Sequence, residues 1–166
     1  MTTTQIYTAS TAEDVARAYA DVILDTITDP SINLGFDDDR SVFGLVVRDI
    51  YGRFRIHPFL QETNHPEPTS VAAEAVRRIL AEEPLPFGQR SIGTFVATPV
   101  WVAGTPGWTG RPSEDPNRTD GIAVWYSGHE GVTLEVRLHK GTRKAELSTV
   151  IPTQIRTQLD RAWKTA

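Results

Sequence analysis

Two stretches constrain this chain more than anything else in it. Ser41 to Arg48 reads Ser-Val-Phe-Gly-Leu-Val-Val-Arg. Successive side chains of a strand point to opposite faces, so Val42 and Val46 oppose Phe43, Leu45 and Val47. Ser91 to Ala103 repeats the pattern, with Val100 and Val102 opposite Phe95 and Trp101. A strand that is apolar on both faces has to be covered on both. The chain must therefore build a sheet buried on two sides, with cover supplied by its own helices or by a second copy of itself.

Three segments have the helical pattern that such cover needs. In residues 11–27, Ser10 and Glu13 form a capping box and Val15, Tyr19, Val22, Ile23 and Ile27 make one apolar face. Residues 70–82 follow Pro68, carry the stripe Ala72, Val76, Ile79 and Leu80, and stop before Pro84. The last helix opens at Pro152, where a missing amide costs nothing, and presents Ile155, Leu159 and Trp163. Further strands are expected at Gly52 to His57, Ile122 to Tyr126, Val132 to His139 and Lys144 to Val150. Asp49-Ile50-Tyr51-Gly52 and Lys140-Gly141-Thr142-Arg143 read as hairpin turns. Val132, Leu134, Val136 and Leu138 share one face, and Thr133, Glu135, Arg137 and His139 the other. Pro99 cannot donate to a ladder, so its strand is expected to be bulged, broken or at an edge. The fold class is α+β, with a mainly antiparallel sheet of about six strands and three helices in the order α-β-β-α-β-β-β-β-α. At 166 residues, without internal repeats, the chain is expected to form one domain, 1–166. Three helices leave two sheet faces hard to cover completely, and a homodimer is the expected remedy.

Composition excludes several function classes. With no cysteine there is no disulfide, thiolate metal site or thiol nucleophile. His57, Glu62 and His65 are the nearest approach to a metal cluster, but their spacing fits no helical pair and prolines surround them. Asp37, Asp38 and Asp39 fail as a calcium loop, because Val42 and Arg48 stand where glycine and glutamate are required. No metal and no cofactor is therefore expected. There is no nucleophile elbow, and Ser127-Gly128-His129-Glu130 are adjacent turn residues rather than a triad. Glycine-rich phosphate loops are missing as well. The first residues lack a basic segment followed by an apolar run, and no stretch reaches the length of a membrane span, so a cytoplasmic location is expected.

The net charge of −4 and a pI near 5.5 argue against nucleic acid as a partner. That charge is unevenly spread: residues 1–39 hold eight acids and one base, residues 137–166 seven bases and two acids. Fourteen arginines against three lysines read as the bias of a GC-rich bacterial or phage coding sequence.

Two groups of candidate binding residues remain. Arg53, Arg55 and His57 alternate with Phe54 and Ile56 and present three donors on one face, suited to a carboxylate or phosphate. The long loop 104–120 carries Trp108 and Arg111 between Pro106 and Pro112, residue types that anchor interfaces. Trp101, Trp125 and Trp163 are assigned to the core. The expected function is a non-catalytic protein-interaction or adaptor module. The alternatives are a domain binding a small acidic ligand through Arg53 and Arg55, or a small enzyme whose site has no sequence signature.

Overall fold

The computed structural model describes residues 4–5, 21, 40–62, 67–139 and 145–166. It shows an open antiparallel sheet with two helices on one face. The strands are β1 (Thr4–Gln5), β2 (Arg40–Arg48), β3 (Phe54–Glu62), β4 (Arg90–Val102), β5 (Thr119–Gly128), β6 (Thr133–His139) and β7 (Ala145–Ser148). The helices are α1 (Ala72–Glu82) and α2 (Thr153–Lys164). Across the sheet the order is β1-β3-β2-β4-β5-β6-β7. The expected helix over 11–27 lies outside the described residues except for Asp21, which is helical and exposed. Two helices rather than three are thus described. The second expected turn, 140–143, also lies outside them.

The β2–β3 hairpin closes where the sequence places it. Asp49 accepts the amide of Gly52 (3.0 Å), and Gly52 takes φ 75°, which glycine adopts without strain. Beyond that turn β3 runs on to Glu62, past the expected end at His57. Pro58 does not stop it, because β1 pairs only with Phe54 and Arg55 and the outer side of β3 is unpaired at Pro58 among the described residues. Pro99 is accommodated in the same way. β4 is unbroken there, but its pairing with β2 ends at Val42↔Ala97, so among the described residues the strand has a ladder partner at Pro99 only in β5.

A bulge sits elsewhere in β4. Val46 pairs with Gly93 and Val47 with Ser91, leaving Ile92 as the extra residue. An inserted residue reverses the facing of what precedes it, and Ile92 accordingly joins the cluster that holds Phe95 and Ala97. Two side-chain clusters result. One contains Phe43, Leu45, Val47 and Val96 and is closed by Ala72, Ala73, Ala75 and Val76 of α1 and Leu159 and Ala162 of α2. The alanines of α1 keep that helix close to the sheet. The other contains Val42, Val46, Ile56, Ile92, Phe95, Ile122, Val124, Tyr126, Leu134 and Val136 and draws on no described helix, yet its members are buried. Close packing here is visible at Gly44, where a Cβ would lie 2.0 Å from the Phe95 ring.

The strand alternation read at Val132–His139 holds: Leu134 and Val136 are buried in this second cluster. Among the described residues, no helix is long and apolar enough to cross a membrane.

Candidate functional site

The residues singled out in sequence fall at opposite ends of β4, which at about 3.3 Å per residue spans roughly 40 Å. At the turn end, Arg53 precedes β3 and is committed to its own hairpin. Its Nε lies 2.8 Å from Asp49 Oδ2, and its guanidinium sits 4.9 Å from the Tyr51 ring centroid. Asp49 also accepts the amides of Tyr51 and Arg53 at 2.9 Å. Burial works to raise the pKa of Asp49, but these hydrogen bonds and the adjacent charge outweigh it and hold the group below 3.8. Arg55 and His57 occupy β3 opposite Val47 and Leu45. The side chain of Arg55 lies outside what is described. His57 is half-buried, with Nε2 3.1 Å from Gln89 Oε1. Arg53 is thus directed into the turn, and the three donors are not shown converging on a common point.

At the other end, the loop between β4 and β5 is ordered by a residue the sequence reading passed over. Asp115 is buried and its carboxylate accepts four hydrogen bonds: the amides of Gly104 (2.9 Å), Thr105 (2.8 Å) and Asn117 (2.8 Å), and the Thr105 hydroxyl (2.5 Å). Burial pushes its pKa up, and the donors from Thr105, Asn117 and Gly104 more than offset that, leaving it below 3.8. The signal was present as Asp-Pro-Asn, a sequence in which an aspartate bonds to the backbone two residues on. A single turn of 3-10 helix, Pro112–Glu114, completes the loop.

Trp108 and Arg111 lie within this frame. Trp108 donates from Nε1 to the Arg111 carbonyl (3.0 Å), rests over Gly110 and stays 36% exposed. The Arg111 carbonyl also accepts the Glu114 amide, while the residue itself is exposed. Trp101 corrects the sequence reading, because it is 50% exposed rather than core. It projects from the part of β4 that has outrun β2, and the Arg118 guanidinium stacks 4.9 Å from its ring. Trp101, Pro116, Arg118, Thr119 and Asp120 line an open depression of about 530 Å³.

The Ser127–Glu130 stretch assembles no triad. Ser127 is buried and donates to Asp160 (2.6 Å), whereas the His129 side chain is half exposed and lies 3.7 Å from Glu130. Asp160 also accepts Trp163 Nε1 (3.1 Å) and stands near Arg156 and Lys164, all on α2, so its bond to Ser127 ties that helix to β5. Residues 37–39 and His65 lie outside the described residues, and among the described residues no group of three His, Asp or Glu is placed to hold a metal. A comparison of the chain with protein-family models, with curated proteins and with solved structures finds no match.

Proposed function

We propose that the chain is a non-catalytic interaction module that holds a protein partner on the surface around Trp101 and Arg118. The observation that carries this reading is the half-exposed indole of Trp101 with a guanidinium stacked on it, at the rim of an open depression. Tryptophan and arginine are the side chains most enriched among residues that dominate binding energy. The stacked pair offers a flat apolar surface with a cation at its edge, and it suits a partner presenting an apolar side chain beside a carboxylate. Asp115 fixes the neighbouring loop before any partner arrives, so little conformational freedom is lost on docking. Trp108 and Arg111, on the same loop, extend the surface available to the partner.

The test compares wild type with Trp101→Ala and Trp108→Ala. Both variants are expected to fold and to lose less than the roughly 3–5 kcal/mol that truncating a buried aromatic costs. Immobilised wild-type protein is expected to retain a specific partner from an extract of its host, and Trp101→Ala to lose it. Unchanged retention by Trp101→Ala, or a stability loss of the buried kind, overturns the reading.

A further inference from the structure

The turn end of the sheet carries a different kind of surface. Arg48 and Arg90 are direct partners in the last pair of the β2–β4 ladder. Like charges directly opposite one another on neighbouring strands repel, their Cβ atoms being about 5 Å apart. Both arginines line a cleft of about 610 Å³, together with Asp49, Ile50, Gly52, Gly88 and Gln89. We infer that this cleft is an anion site, in which Arg90 and Arg48 grip the carboxylate or phosphate group of a small molecule.

Four observations support the assignment. Asp49, the one acid lining the cleft among the described residues, is turned into its own hairpin by Tyr51 and Arg53 and is not paired with either arginine. Arg90 is exposed, and among the described residues no carboxylate is paired with it. Arg48 has an interaction of its own within the chain, but a guanidinium carries more N–H donors than one partner uses. Gln89 has its Oε1 beside His57 Nε2, which leaves its amide NH₂ as a further donor to the cleft.

The cleft is also kept open by sequence. Gly88 takes φ 80°, and a Cβ there would come within 2.7 Å of Ile50 Cγ2. Ile50 is 72% exposed and gives the site one apolar wall. The ligand is therefore an oxyanion carried on a partly apolar body, and guanidinium pairs bind such groups bidentately. This site is independent of the Trp101 surface, from which the length of β4 separates it.

Calorimetric titration of the full chain with inorganic phosphate and, separately, with citrate, at ionic strength held constant with sodium chloride, tests the assignment and distinguishes the two anion classes. Saturable one-to-one binding of at least one anion is expected, with amide shifts at Gly52, Gly88 and Gln89 in NMR spectra. Arg90→Gln is expected to weaken it by at least about tenfold, the worth of one charge-assisted hydrogen bond. Trp101→Ala should bind the anion as wild type does. Responses to phosphate and citrate that match chloride, or equal affinity in Arg90→Gln, overturn the proposal. Should Arg90→Gln fail to fold, Arg90→Lys makes the same comparison: it keeps the charge but loses the bidentate grip, and affinity equal to wild type is then the refuting result.

Discussion

Asp115 has no cationic partner in its hydrogen-bond set, yet its carboxylate organises a whole loop. Its four donors are three amides and a hydroxyl, and they favour the charged form strongly enough to overcome burial. A depressed carboxyl contributes stability that is complete above its ordinary value of 3.8 and is lost as pH falls from there through the lowered folded value. Wild-type stability should therefore decline in that acid window. Asp49 is depressed in the same sense and adds to the decline. Asp115→Asn should lower the melting temperature by several degrees at neutral pH, and should remove part of the acid-induced loss. Parallel melting curves from pH 7 to 3 check both outcomes, and identical pH profiles for the two proteins contradict them. Neither aspartate was singled out as a site residue in sequence. A carboxylate beside a proline or at a turn looks alike whether it faces water or four donors.

Secondary structure was legible where apolar spacing was regular and tertiary context did not intervene. The period-two pattern at Thr133–His139 and the period-3.6 stripes of α1 and α2 translate directly into buried faces. At Pro99 the edge alternative holds, and Pro58 lies inside a strand that outlasts its expected end, because among the described residues each sits where its strand has a ladder partner on one side. Which side is unpaired depends on strand order, a long-range property. The bulge at Ile92 is hidden for the same reason, since only the register against β2 reveals it. Trp101 shares its apolar neighbourhood with core residues, and only the overhang of β4 beyond β2 exposes it. Gly44 looks like an ordinary strand weakness, but the Phe95 ring occupies the space a side chain would need. Gly44→Ala should consequently cost about 1–3 kcal/mol through forced repacking. Chemical denaturation measures it, and a neutral result would mean that Phe95 moves freely.

The two-faced strands are the motive for expecting a dimer, and at the scale of the molecule that motive changes. Both sheet faces have buried clusters within one chain, so cover by a second copy is not needed to bury them. Among the described residues, Leu147 and Val150 at the sheet margin by β7 are exposed apolar side chains that a second copy can pack against. Light scattering of wild type and Leu147→Lys decides the matter. A wild-type dimer that dissociates in the variant places the interface on β7, whereas two monomers discard the homodimer.

The Asp115 clasp has one more consequence. It joins Gly104 and Thr105 to Asn117, so the two stems of the β4–β5 connection are held together independently of what lies between them. Residues 106–114 then behave as a cassette on a fixed mount: foreign peptides of comparable length can be grafted there without disturbing the sheet, and recognition can diversify while the scaffold is conserved.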